Sequence, residues 1–455
     1  MEFQDRHVVV MGLARSGLAA ARFLKERGAR VTITDKAGAG ALGKYAEQAQ
    51  ALDVVLELGG HRGATLDNAD LIVLSPGVPH TLEALESARR KGIPVIGEIE
   101  LACRHLNRPI LAVSGTNGKT TATELLGAML AESGLRVFVG GNIGNPLINI
   151  AGREDNLDVI VAEISSFQLD TAESFKPRVG VLLNITPDHL DRYPDMAAYA
   201  DSKARLFRNQ DAADTAVING NDPLALSAGR AARSQRLYFF GRPPENGEPG
   251  HGALITPRQI AVHIPGRVEG RIDLTRARLI GPHNRENIAA AALAALCAGA
   301  SLDGVQKAVD RFQGLAHRLE SVATIKDVHF VNDSKATNVD AVIRALECFD
   351  RPVVLIMGGR NKGYDFEPLR VHVRSRVRKL IVIGEAAPQI MTVLGGEPAD
   401  GAETAADMAQ AVRRAFAAAR PAETVLLSPA CASFDMFGSY VERGETFRRL
   451  VKELS

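Results

Sequence analysis

Short apolar runs of strand length alternate with longer helix-patterned stretches along almost the whole chain. Such alternation marks repeated strand–helix–strand units and largely parallel sheets covered on both faces. Three series separate. The first contains strands near residues 8–10, 31–34, 71–74 and 94–96. The second contains strands near 110–113, 159–161, 179–183 and 216–218. The third contains strands near 330–331, 353–357, 380–383 and 424–427. Residues 241–275 have loop and hairpin character, an expected antiparallel excursion within the second series. The alanine-rich run 288–300 reads as a buried helix and is too short to span a bilayer. Breaks near 97 and 314 divide the chain into expected domains 1–97, 98–313 and 314–455.

A length of 455 residues agrees with about three domains rather than one core. Hydrophobic content of 46% and charged content of 24%, without Pro- or Ser-rich tracts, describe an ordered globular chain. A formal net charge of +1 argues against general polyanion binding, so no nucleic-acid partner is expected. Cys103, Cys297, Cys348 and Cys431 are scattered without a CxxC pair, which disfavours disulfides and zinc and fits a reducing cytoplasm. The N-terminus carries acids and runs into a strand, unlike a signal peptide, and no stable membrane insertion is expected.

The chemistry begins at residues 110–130, ILAVSGTNGKTTATELLGAML. An apolar strand is followed by Gly115, Thr116, Asn117 and Gly118, and Lys119, Thr120 and Thr121 then open a helix read as amphipathic. Glycines let backbone N–H groups converge on a phosphate, the helix dipole adds positive potential, and the lysine adds a full charge. The threonine hydroxyl after the lysine is suited to a nucleotide-bound magnesium. The usual GxxxxGK[ST] spacing calls for glycine at 113, where this chain has Val113, so the loop is a variant.

A second glycine turn, Gly12-Leu13-Ala14-Arg15-Ser16-Gly17, follows the first strand, and Asp35 ends the next. This approaches the dinucleotide fingerprint, but Ala14 stands where the second glycine would admit a pyrophosphate. NAD, another nucleotide and a purely structural turn all remain open on these residues. The loop Ser75-Pro76-Gly77 would face the same crevice.

In the second series, Glu163 closes a strand and His189 follows another. With Thr120 they would supply donors around one nucleotide-bound metal. Lys203 lies on a helical stretch, where the plain expectation is a solvated lysine. Asn284 and Asn287 are three residues apart at the start of the alanine-rich helix and share a face that could read a base edge. In the third series, His317-Arg318 and residues 332–338 (NDSKATN) put charge next to a strand end, and 332–338, 358–363 (GGRNKG) and 428–433 (SPACAS) are three strand-end loops suited to an anionic ligand.

GTNGKTT at 115–121 resembles the ATP loop of the Mur ligases and the related folylpolyglutamate synthetases. EISSFQL at 163–169, HLDRYP at 189–194, NDSKATN and SPACAS narrow the resemblance to the Mur ligases that add D-glutamate. It runs from Gly12 to about Phe447; the departures are Ala14-Arg15 in the first turn and Tyr440 at a family phenylalanine position.

The resemblance implies a three-domain α/β fold: a Rossmann-like N-terminal domain, a central P-loop ATPase-type parallel-sheet domain and a C-terminal Rossmann-like α/β domain. Arg15, Ser16, Gly17, Asp35, Lys36, Ser75 and Gly77 would hold the UDP part of the substrate, with Asn142 on its sugar-peptide part. The nicotinamide reading then falls away. Lys119 would bind the β- and γ-phosphates, with Thr120 and Glu163 on a first magnesium and His189 and a carbamylated Lys203 on a second. Asn284 and Asn287 would lie near adenine, while Arg318 and Asp333 would reach ATP from the third domain. Lys335, Thr337, Lys362, Ser433 and Tyr440 would surround D-glutamate.

The implied activity is ATP-dependent ligation of D-glutamate to UDP-N-acetylmuramoyl-L-alanine through an acyl phosphate, by a monomer in the bacterial cytoplasm. Closure of the third domain about a hinge near Gly314 is expected with it. Other family members are the nearest rivals. The third domain has no Asp-Asn-Pro-Arg motif, against a diaminopimelate- or lysine-adding enzyme, and the N-terminal domain would be idle in a folate enzyme. An NAD-dependent oxidoreductase and a non-catalytic nucleotide-binding regulator are the alternatives outside the family.

Overall fold

The computed structural model describes residues 3–241 and 251–454; residues 242–250, in the stretch read as loop and hairpin, lie outside the described residues. The described strands form three sheets, one for each series. The chain divides into two compact units. One holds Met1–Ile185, Asp195–Asp273 and Ile288–Ala308; the other holds Thr186–Pro194, Leu274–Asn287 and Val309–Ser455.

The first unit carries two sheets. The first sheet is wholly parallel, in the order Val55–Leu58, Arg30–Asp35, His7–Met11, Leu71–Leu74, Val95–Gly97. Its inner strands His7–Met11 and Leu71–Leu74 are near-continuous apolar runs because helices cover both faces. The second sheet holds Ile110–Ser114, buried at every position, between Val159–Glu163 and Val179–Leu182, with Val137–Gly141 at the nearer edge. It extends through Thr215–Asn219 and Gln235–Phe240 to Gly252–Ile255, Gln259–Ile264 and Val268–Asp273. Those last three strands pair antiparallel, as the excursion at 241–275 suggests.

The helix Lys119–Glu132 departs from the amphipathic reading. From Thr121 to Leu130 only Glu124 and Ala128 are even half-exposed, so the helix is sheathed on nearly all sides. Helix Pro282–Cys297 begins with proline, whose missing N–H costs nothing in a first turn, and is buried from Ile288 to Leu296.

In the second unit, Val328–Asn332, Thr424–Leu427, Val353–Gly358, Val377–Ile383 and Ala402–Thr404 run parallel, with Glu320–Ile325 antiparallel at one edge. Apolar clusters fill both faces of this sheet.

The helix Glu98–Cys103, which follows the last strand of the first sheet, buries an acid. Glu98 Oε1 accepts from the Ile148 N–H at 3.1 Å, and its Oε2 is buried without a partner. Burial pushes its carboxyl up to about 7. The folded chain therefore holds this proton more tightly than the unfolded chain. The linked stability is complete below about pH 4.5 and is lost as pH rises through about 7. Glu98→Gln is expected to stabilise the protein at pH 8 by about 1–3 kcal/mol and to have little effect at pH 4. Urea midpoints at both pH values check this; equal shifts at the two would contradict it.

Candidate functional site

At the carboxyl edge of the first sheet, His7–Met11 and Leu71–Leu74 are neighbours whose chains leave toward opposite sides, which opens a crevice. Gly12 has φ +96°, and Gly17 packs directly behind it. A Cβ on Gly17 would stand 1.9 Å from the Gly12 carbonyl oxygen and 2.7 Å from Ser75 Oγ, so the turn admits no side chain there. Ser75 Oγ donates to that carbonyl at 2.7 Å, joining the two loops. Asp35 accepts from Leu13 N–H at 2.7 Å and Ala37 N–H at 2.8 Å, so both its oxygens organise backbone. Arg15, Lys36 and Gly77 are exposed at this edge and Ser16 is half-buried.

The phosphate loop follows Ile110–Ser114, the strand that lies between Val159–Glu163 and Val179–Leu182. Gly115 has φ +150°, and a Cβ there would press on Leu183 and Asn184. Asn184, which the sequence reading passed over, pins the loop. Its carbonyl accepts from Thr116 N–H at 2.9 Å, its Oδ1 from Asn117 N–H at 2.8 Å, and its Nδ2 donates to the Asn117 carbonyl at 3.0 Å. Thr116 Oγ1 lies 3.2 Å from the Tyr199 hydroxyl. Gly118, at φ +86°, turns the chain into the helix, where Lys119 and Thr120 are half-buried and Thr121 is buried. Lys119 Nζ folds back to donate to the carbonyls of Gly115 at 2.9 Å and Thr116 at 2.8 Å.

Two further residues meet this loop. Lys203 is only 1% exposed, which overturns the solvated reading. Its Nζ donates to the Gly115 carbonyl at 2.8 Å and lies 4.6 Å from the Tyr199 ring centre. Glu163, 2% exposed, ends the strand beside the loop. Its Oε1 accepts from Asn142 Nδ2 at 2.7 Å, while its buried Oε2 has no hydrogen-bond partner. A buried anionic oxygen left open suits a hard cation. Among the described residues no group of three or more His, Cys, Asp and Glu side chains could hold a metal, so a magnesium here would draw other ligands from hydroxyls, water and phosphate.

The second unit gathers the remaining candidates. Its segment Thr186–Pro194 carries His189, at φ +57°. Asp188 accepts from the His189 N–H at 2.9 Å and from Asn338 Nδ2 at 3.4 Å, and also contacts the Tyr364 hydroxyl. Asn284 and Asn287 are both buried and bond to each other: Asn287 Nδ2 donates to Asn284 Oδ1 at 3.1 Å, and Asn284 Nδ2 donates to the Ile280 carbonyl at 2.7 Å.

The three strand-end loops of the third series converge. Asp333 N–H donates to the Leu427 carbonyl, Ser428 N–H to Ile356 and Gly358 N–H to Pro429. Asp333 is buried and accepts from Ser428 Oγ at 2.9 Å and from the Leu319 N–H, next to Arg318, at 3.3 Å. Burial pushes its carboxyl up to about 7, against the pull of the Ser428 hydrogen bond and the Arg318 charge. Lys335 Nζ lies 5.2 Å from the Tyr440 ring centre. Ser433 is buried, Thr337 half-buried and Lys362 exposed.

Arg443 had no sequence signal, since a helical arginine reads as surface. It is fully buried, donating to Ser334 Oγ at 3.0 Å, the Ser334 carbonyl at 2.7 Å and the Cys431 carbonyl at 3.0 Å, and so ties two of these loops to helix Tyr440–Lys452.

The three sheets, the crevice and the glycine loop running into a helix define a multidomain α/β protein of the phosphate-loop class. The chain belongs to the Mur ligase family. Its residues 6–97 match the Mur ligase MurD-like N-terminal domain, 113–295 the Mur ligase middle domain and 317–431 the Mur ligase glutamate ligase domain.

It is 52% identical over 455 residues to a UDP-N-acetylmuramoylalanine–D-glutamate ligase of Desulfosudis oleivorans, covering 100% of this chain and 98% of that one. It is 46% identical over 453 residues to the enzyme of the same name from Pelotomaculum thermopropionicum, covering 100% and 99%. Among solved structures it is similar to a pseudomurein peptide ligase type C of Methanothermus fervidus, with a TM-score of 0.61, 19% identity and 99% and 100% of the chains covered. A UDP-N-acetylmuramate-alanine ligase of Thermotoga maritima matches with a TM-score of 0.61, 17% identity and the same coverage. These two establish the shared three-domain α/β fold. Among the described residues no helix is long and apolar enough to cross a membrane.

Proposed function

We propose that the protein is an ATP-dependent amide ligase that joins D-glutamate to UDP-N-acetylmuramoyl-L-alanine, forming ADP and phosphate in peptidoglycan precursor synthesis. The observation that carries this reading is the phosphate loop with buried Lys203 bonded to its Gly115 carbonyl and Glu163 presenting an open carboxylate oxygen beside it.

A carboxylate resists attack by an amine because its leaving group would be oxide. One carboxylate oxygen of the L-alanyl group therefore attacks the γ-phosphorus, and ADP departs. The D-glutamate nitrogen attacks the acyl carbon, the C–O bond breaks, and phosphate leaves as the amine loses a proton. Charge accumulates on phosphoryl oxygens, where Lys119 from the loop and Arg318 supply positive charge. Thr120 and Glu163 would hold one magnesium, and His189 with a carbamylated Lys203 a second; magnesium, when bound, neutralises phosphate charge. A lysine carbamate keeps one N–H, so Lys203 would still have a proton to donate to the Gly115 carbonyl while its side chain becomes an anion.

Arg15, Ser16, Gly17, Asp35, Lys36, Ser75 and Gly77 take the UDP portion in the crevice, and Asn142 the portion beyond it. Asn284 and Asn287 sit by adenine, with Asp333 and Arg318 reaching ATP. Lys335, Thr337, Lys362, Ser433 and Tyr440 receive the amino acid, and the domain limits are those read from the sequence. The enzyme works as a monomer in the bacterial cytoplasm, where nucleotide-linked precursors and ATP are found.

The test is phosphate release with ATP, magnesium and UDP-N-acetylmuramoyl-L-alanine against a panel of amino acids. Release is expected with D-glutamate alone. Equal turnover with L-glutamate would overturn the specificity, and release with no amino acid in the panel would overturn the activity.

A further inference from the structure

His61 lies at the same sheet edge as the crevice, although no motif marks it. Strands Arg30–Asp35 and Val55–Leu58 pair in parallel with Asp35 opposite Leu58. Beyond them Gly59 N–H donates to the Ala37 carbonyl and Gly60 N–H to the Asp35 carbonyl, both at 3.0 Å. Asp35 in turn holds the Leu13 N–H of the glycine turn. The loop before His61 is therefore stitched to the residues proposed to receive the UDP group.

The hydrogen bonds determine the chemistry of the imidazole. Thr34 Oγ1 is 3.2 Å from the Gly60 carbonyl oxygen and 2.9 Å from His61 Nδ1. A hydroxyl carries one proton, and a carbonyl oxygen only accepts. Both contacts are satisfied when Thr34 donates to Gly60 and His61 Nδ1–H donates to Thr34. The ring is then the Nδ1–H tautomer, and Nε2 is left with its lone pair. Partial burial holds the ring below the usual histidine pKa; Lys36 pushes the same way and Asp35 opposes it. No described residue hydrogen-bonds to Nε2, and it is not among the buried unpartnered atoms, so this acceptor is open at the surface.

We propose that His61 reads the base of the bound nucleotide, its Nε2 accepting a hydrogen bond from the imide N–H of uracil. This rests on the reading that the crevice holds a UDP-linked substrate. Uracil carries a donor at N3 and cytosine an acceptor there, so a fixed acceptor selects uracil and repels cytosine.

Calorimetric titration of the full-length protein with UDP and CDP tests this, comparing wild type with His61→Ala. Wild type should bind UDP about tenfold or more tightly than CDP, and His61→Ala should weaken UDP binding about tenfold and narrow the ratio. An unchanged UDP-to-CDP ratio in a folded variant overturns the assignment to His61 alone. Binding of neither nucleotide by wild type overturns the reading of the crevice as well. Should the variant not fold, the Nε2 resonance of His61 in ¹⁵N-labelled wild type decides. Its displacement by UDP supports the proposal, and its indifference to bound UDP overturns it.

Discussion

Lys119→Ala is expected to lower kcat by about 10²–10³-fold while leaving UDP affinity within about twofold of wild type. In the structure Lys119 Nζ donates to the carbonyls of Gly115 and Thr116, which holds the ammonium against its own loop. In the proposed role, bound β- and γ-phosphates would offer it oxygens of full charge, and the interaction would strengthen as charge shifts during phosphoryl transfer. Loss of this lysine should thus fall chiefly on turnover. Lys119→Arg keeps the charge but replaces a compact ammonium with a planar fork, and should recover only a small part. The crevice is built from other loops, which is why UDP binding is the internal control. Steady-state phosphate release with varied ATP, together with UDP titration, checks both. A Lys119→Ala enzyme that keeps half of wild-type kcat would contradict the role.

Lys203→Ala is expected to lose activity on a similar scale, about 10²–10³-fold, and to regain part of it when short carboxylic acids such as acetate are added. Two explanations compete for the loss. Lys203 could matter only because its Nζ donates to the Gly115 carbonyl and props the loop. Alternatively it carries a carbamate that ligates metal. A carboxylic acid supplies an anionic oxygen pair but no N–H donor at that carbonyl, so rescue separates the two. The carbamate itself should give a carbon resonance on incubation with ¹³C-bicarbonate that is absent from Lys203→Ala. Normal turnover by the alanine or glutamine variant would disprove the modification, and loss without rescue would favour the prop.

What was legible in the sequence follows burial. Strands covered on both faces, such as Ile110–Ser114, Leu71–Leu74 and Thr424–Leu427, are buried throughout and carry apolar runs of three or four residues. Strands passed over include Val55–Leu58, Val137–Gly141, Glu320–Ile325 and Ala402–Thr404, each at the edge of its sheet and largely half-exposed. An edge strand is half solvent-facing, so its pattern dilutes toward that of a loop. The helix after the phosphate loop failed in the opposite sense, because Thr121 and Thr123 read as polar but are buried.

The candidate chemistry divides in the same way. Glycines at left-handed positions, the lysine at a helix start and acids at strand ends are local necessities, so they are readable in order along the chain. Asn184 and Arg443 are not, because each acts on loops distant in sequence: Asn184 holds the phosphate loop from another strand end, and Arg443 joins residues 334 and 431.

By itself the sequence determined three strand–helix series, the variant phosphate loop and the family to which the motifs belong, since these depend on residue type and short spacing. The tertiary structure alone decided that Lys203 is buried against Gly115, that one oxygen of Glu163 stays open, and that the single hydroxyl of Thr34 lies between the Gly60 carbonyl and His61 Nδ1. Those outcomes depend on which atoms share a dry space or a single proton, and spacing along a chain does not encode either.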